Sequence, residues 1–216
     1  MLRRRGFLRV SASAFGGVLV FNLQRQPNLL HAQSPESEHI LNIPLYFFKS
    51  QQAGDIAAAT ECILPADEHG PGARAAGVTI YIDRQLAGPY GQDKFRYRDR
   101  PFRSGVPEQG YQDSPSPQEI YREGLKWISG IQRLESREQD RLLAGIERTR
   151  FFQLLRAHTI EGMFSDPVHG GNRDMVGWKL VGFPGVRYDF REMLAHPGEA
   201  YTEPPVSLLG RAQVRP

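Results

Sequence analysis

Residues 116–162 read SPQEIYREGLKWISGIQRLESREQDRLLAGIERTRFFQLLRAHTIEG, and this run decides the fold class. Ser116-Pro117-Gln118-Glu119 is a complete helix start: a capping serine, a proline in the first turn and a glutamate three residues on. Behind it Tyr121, Leu125, Ile128 and Ile131 recur at helical spacing, with Trp127 and Leu134 widening the apolar face. Ser136-Arg137-Glu138-Gln139 repeats the capping box and opens a second helix through Leu142, Leu143 and Ile146. Thr149 is the expected cap of a third, whose inner face carries Phe151, Leu155, His158, Thr159 and Gly162. Apolar stripes on successive helices joined by short connections pack on one another, so the chain is predicted to be mainly α. His158 on such a face reads as a hydrogen-bonded core histidine rather than a catalytic one.

Downstream lies a different kind of stretch, Met163 to Gly185, MFSDPVHGGNRDMVGWKLVGFPG. Glycines serve where φ must be positive or another surface must come close, and Pro167 and Pro184 interrupt regular structure. The stretch therefore reads as an ordered loop pinned by Met163, Phe164, Trp178 and Phe183. Asn172 is expected in a left-handed conformation or as the cap of a short helix through Trp178 and Leu180. A second short helix is expected over Arg187 to Leu194, followed by a proline-rich tail that wraps a surface. Upstream, Ser50 is expected to cap a helix ended by Pro65, and Ala75 to Leu86 forms another, ended by Gly88-Pro89. Between Tyr90 and Ser116 there is no periodicity. Its run Phe95 to Arg103 interleaves aromatics with arginines and is expected to anchor on the body or on another subunit. The expectation is an irregular helical domain over 45–216, with long Gly/Pro-rich loops, behind a linker at 33–44.

The first 32 residues stand apart. They carry Arg3, Arg4, Arg5, Arg9 and Arg25 and no acid. Of 27 basic residues in the chain, these five leave 22 against 24 acidic ones, so the remainder is slightly acidic at −2. The overall excess of base is thus no argument for nucleic acid. Arg4-Arg5-Gly6-Phe7-Leu8-Arg9 fits the twin-arginine export pattern, with Arg4, Arg5, Phe7 and Leu8 as its key positions. The apolar segment that follows, Val10 to Phe21, is too short for a membrane span of about 20 residues. Export to the periplasm is the expectation. A small residue stands only at the last position of Leu30-His31-Ala32, which makes Ala32 a weak cleavage point.

Signs of chemistry are few. Cys62 is the only cysteine, which rules out an internal disulfide and a cysteine-built metal or haem site. It reads as a small buried hydrophobe, or as one half of a disulfide to a partner chain in an oxidising compartment. No G-x-S-x-G elbow is present, and the glycines at 70, 72 and 77 do not make a dinucleotide fingerprint. Asp67, Glu68 and His69 are adjacent and read as solvated or capping groups. Asp166, His169 and Asp174 are the one set with a metal-binding look, and an independent metal-dependent enzyme built on them is the alternative reading.

Against this background the chain resembles the gluconate 2-dehydrogenase subunit 3 family. The resemblance rests on Ile63-Leu64-Pro65 followed by Asp67, on Gly77-Val78 leading to Tyr81-Ile82-Asp83, and on the twin-arginine leader. Its most specific part is Gly162-Met163-Phe164-Ser165-Asp166-Pro167 through Gly170-Gly171-Asn172 to Gly177-Trp178 and Gly182-Phe183-Pro184-Gly185. His169 departs from it, standing where an aromatic is expected. The resemblance implies a non-catalytic small subunit that binds no cofactor itself. The FAD would sit in a large flavoprotein of the glucose–methanol–choline (GMC) type, and haem c in a third, cytochrome subunit. It implies co-export by the twin-arginine translocation machinery and membrane association through the complex. The expected partner interface is Asp166, Pro167, Gly170, Gly171, Asn172, Trp178, Phe183 and Pro184, together with the 95–103 loop.

Overall fold

The computed structural model describes residues 43–96, 102, 106, 115–187, 189–199 and 203–210, all in one compact unit. The expected leader at Arg4, Arg5, Phe7 and Leu8, nearly all of the expected linker, and most of the 95–103 run lie outside the described residues. The elements are α1 (Ser50–Ile63), α2 (Val78–Ala87), α3 (Pro117–Trp127), α4 (Ser136–Ile146), α5 (Arg150–Phe164), α6 (Val176–Val181) and α7 (Arg191–Leu194). Single 3-10 turns cover Ile131–Arg133, Pro167–His169 and Arg173–Met175. No strand occurs among the described residues, so the chain is mainly α.

Helix α5 is the hub: α1, α2, α3 and α6 all pack on it. Phe151, Leu155, His158, Thr159, Gly162 and Met163 are its buried residues, the face that its sequence spacing predicts. Around it lie Ile56, Ile82, Leu86, Tyr121 and Ile128, all fully buried. Gly124 of α3 sits against the Phe151 ring, which a Cβ there would meet at 2.0 Å. A glycine at this point lets α3 close on α5.

Two of the predicted starts are as expected. Ser116 Oγ accepts the Glu119 N–H at 3.3 Å while the Glu119 carboxylate accepts the Ser116 N–H at 2.7 Å. Thr149 Oγ1 accepts the Phe152 N–H. Other boundaries move. The cap of α4 is Glu135, not Ser136, and Glu138 closes the box on the Glu135 N–H at 3.3 Å. The reason is Gln139, whose amide is committed to the carbonyls of Ile131 and Leu134 at 3.0 Å each and cannot turn back to Ser136. Ser50 is the first helical residue rather than the cap, and Gln52 accepts the Lys49 N–H. Helix α2 starts at Val78, not Ala75, because Gly77 takes a left-handed φ of 72°. Helix α7 is shorter than expected, and Asp189 caps it by accepting the Arg191 N–H.

Two buried carboxylates tie distant segments together. Asp83, fully buried in α2, accepts three backbone N–H groups from Tyr46, Phe47 and Phe48 at 2.7, 3.0 and 2.8 Å. It fixes the path of the chain into α1. Asp55 accepts from Gly130 and Gln132 and so holds α1 to the turn after α3. A buried carboxylate is tolerable only with such donors around it.

Candidate functional site

The C-terminus of α5 leaves four carbonyls without partners along the helix, as any helix end does. Ser165 N–H makes the last bond of the helix, to the Glu161 carbonyl at 2.7 Å, and the loop that follows supplies donors to three carbonyls beyond it. Asn172 N–H donates to that of Gly162 at 2.7 Å. Trp178 Nε1 donates to the Phe164 carbonyl at 2.7 Å, and Asn172 Nδ2 to that of Ser165 at 2.8 Å. The Asn172 side-chain oxygen in turn accepts the Gly177 N–H at 2.8 Å. Asn172 and Trp178, eight and fourteen positions past Phe164, thus return to close the helix. The approach is backbone on backbone: a Cβ on Gly171 would meet the Gly162 carbonyl oxygen at 2.2 Å, and one on Gly177 the Met163 carbonyl oxygen at 1.9 Å. Asn172 itself is left-handed at φ 45°, as its residue type predicts. The loop also reaches the turn before α2, through the Arg173 N–H to the Ala76 carbonyl at 3.0 Å.

This geometry divides the expected interface residues into two groups. Gly171, Asn172 and Trp178 are buried, and Trp178 is only 5% exposed. They build the loop from inside, so in the isolated subunit Trp178 is a core ring and not an exposed anchor. Its edge meets the Phe183 ring at a centroid distance of 5.1 Å, and Phe183 is 45% exposed. Pro167, Gly170 and Pro184 are half-buried. Asp166 links the loop to the chain's C-terminal segment. Its carboxylate accepts from the Val168 N–H at 2.9 Å, the Ser207 hydroxyl at 2.8 Å and the Leu208 N–H at 2.9 Å. Partial burial would raise the Asp166 carboxyl, but these hydrogen bonds, with His169 nearby, hold it below the usual carboxylate range. Gly185 pairs with Val206 in a short parallel bridge, and Val186 N–H donates to the Val206 carbonyl at 2.6 Å. The tail does lie over a surface, as its prolines suggest. Val168, Phe183 and Val186 of this stretch, and Leu208 and Leu209 of the segment it holds, are exposed apolar residues.

The metal reading of Asp166, His169 and Asp174 fails on geometry. No group of three or more His, Cys, Asp or Glu side chains is placed to hold an ion among the described residues. Asp166 is spent on the contacts above, while Asp174 is exposed on a left-handed kink. Asp67 accepts the His69 N–H at 2.8 Å, which is turn chemistry. Cys62 is half-buried, and its thiol donates to Gln139 Oε1 at 3.2 Å. Burial, with Asp140 and Glu61 adding to it, pushes that thiol up to about 11, so little reactive thiolate forms.

His158 is a satisfied core residue. Its Nδ1 lies 2.8 Å from the Tyr121 hydroxyl and its Nε2 2.7 Å from that of Tyr90. A neutral imidazole has one donor and one acceptor nitrogen, so one tyrosine accepts and the other donates. Burial lowers His158 from 6.5 to about 4 and pushes the Tyr90 hydroxyl up to about 12. Because the folded-state value is depressed, the unfolded chain binds this proton first as pH falls. Stability should therefore drop between about pH 6.5 and pH 4, by roughly 3 kcal/mol in total from this residue. Denaturant unfolding of His158→Gln across that range should show a slope shallower by about one proton, or about 1.4 kcal/mol per pH unit. An unchanged slope would mean that His158 titrates normally.

Fold and site together define a mainly helical body whose most distinctive sequence is the closure of its central helix. A family model described as gluconate 2-dehydrogenase subunit 3 matches residues 50–185, which is α1 through the Gly185 bridge. The chain belongs to the gluconate 2-dehydrogenase subunit 3 family. Neither the curated proteins nor the solved structures contain a match to the chain.

Proposed function

We propose that this chain is the non-catalytic small subunit of a periplasmic, FAD-dependent sugar, sugar-acid or alcohol dehydrogenase. The observation that carries this is membership, over almost the whole helical body, of a family named for a dehydrogenase subunit. The catalytic flavoprotein, of the GMC type, holds the FAD, and a multihaem cytochrome c subunit takes the electrons. The small subunit supports maturation of the flavoprotein and carries it through the twin-arginine machinery with its own Arg4-Arg5 leader. Membrane association comes through the complex. Docking uses the exposed apolar side chains Val168, Phe183, Val186 and Leu208 with the half-buried Pro184, and Asp166 ties the segment of Leu208 to the loop. An apolar surface of this kind suits a permanent partner.

A tagged chain recovered from its native host should bring down a large flavoprotein and show flavin absorbance. Changing Arg4 and Arg5 to Lys should strand both proteins in the cytoplasm. A colourless single-chain preparation would refute the accessory role, and normal export of the flavoprotein would refute co-transport.

A further inference from the structure

Between α2 and the last turns of α5 the surface sinks into an open depression of about 450 Å³, adjoining the closing loop. Its charge is one-sided. Glu161 supplies a carboxylate, and neither lysine nor arginine lines the walls. The Tyr81 hydroxyl donates to Glu161 Oε2 at 3.1 Å, which leaves Oε1 open. Among the described residues no cation lies within ion-pair distance of Glu161. The placement is built rather than incidental. Gly162 packs its backbone against the Tyr81 ring, which a Cβ there would meet at 3.1 Å, and this seats the hydroxyl beside Glu161. In the same wall the Ser165 hydroxyl is buried without a hydrogen-bond partner among the described residues. A buried hydroxyl, donor and acceptor in one, is costly without a partner. Ile160 and Phe164 add apolar walls of the sort that cover an aliphatic stem.

We propose that this depression receives one basic side chain, arginine or lysine, of the partner subunit. The stem lies along Ile160 and Phe164, and the charged head meets the open Oε1 of Glu161. An anion finds no counter-charge among lysines or arginines there, and a metal finds no ligand set. The proposal rests on the accessory reading, because it deepens the same surface: His169 belongs both to the depression and to the 3-10 turn that Asp166 caps.

The test uses the full chain tagged in its native host, as wild type, Glu161→Gln and Glu161→Lys, with Glu123→Gln as an exposed acidic control. Flavoprotein recovered with Glu161→Gln should fall at least tenfold, and further with Glu161→Lys, while the control matches wild type. The isolated Glu161→Gln chain should melt as wild type does, since an amide keeps an acceptor oxygen for the Tyr81 hydroxyl, and circular dichroism confirms that the Glu161→Lys chain is folded. Equal recovery in the two Glu161 variants would overturn the proposal while leaving the accessory role intact. If wild type itself recovers no flavoprotein, the accessory reading has failed, and n-butylguanidinium decides the depression alone. Saturable NMR shifts at Tyr81, Ser165 and His169 that vanish in Glu161→Gln would keep it as a site for basic groups. Absence of such shifts would overturn it.

Discussion

Trp178→Ala should cost the isolated chain about 3–5 kcal/mol of stability, the range for truncating a large buried aromatic. Two losses add. The ring leaves a void between the loop and Phe183, and the Phe164 carbonyl at the end of α5 loses the indole N–H that closes it at 2.7 Å. Trp178→Phe separates them, since it keeps most of the volume and removes only the donor. That variant should lose about 1–2 kcal/mol, the expense of an orphaned carbonyl. Denaturant midpoints of the isolated chain measure both. If Trp178→Ala leaves stability unchanged and only complex yield falls, the ring is a partner contact and the buried position described above is wrong. The same closure explains why Gly171 and Gly177 admit no side chain: their neighbours are helix carbonyls, which cannot move aside.

Asp83→Ala should be comparably severe, at about 3 kcal/mol or more, because it strands three amides that share one acceptor group. Asp83→Asn keeps one acceptor oxygen and should lose about half as much. The diagnostic readout is local. Hydrogen exchange at the Tyr46, Phe47 and Phe48 amides should accelerate in both variants relative to the rest of the chain. Uniform acceleration across all helices would show that Asp83 supports global stability without specifically holding the entry segment.

Parts of this architecture are legible one residue at a time. Ser116 with Glu119, and Thr149 with Phe152, are contacts within three positions, and the periodicity of Phe151, Leu155 and His158 marks one helix face without reference to any partner. Failures came where a residue had a competing partner elsewhere. Gln139 looked free to cap its own helix, but the carbonyls of Ile131 and Leu134 claim it. Asp83 carried a family resemblance and no visible role, since its three donors lie 35 to 37 positions away. Trp178 reads from the sequence both as a pin of the glycine-rich loop and as a candidate interface residue, because composition does not say which way such a ring faces; its burial makes it a pin.

Residue order alone carries the helical class, the positions of the best-capped helices, the left-handed Asn172 and the family. These are local or pattern-borne properties, set by 3.6-residue spacing, by cap chemistry and by motif order. Folding in three dimensions settles that Met163 to Gly185 is the closure of α5, that Asp166 holds the C-terminal segment, and that Glu161 stands at the edge of a depression with no cation beside it among the described residues. Those outcomes depend on which orphaned carbonyls, amides and charges meet across space. That matching is resolved when the chain packs, because each such group must find a partner somewhere and its nearest partner in space is seldom its neighbour in sequence.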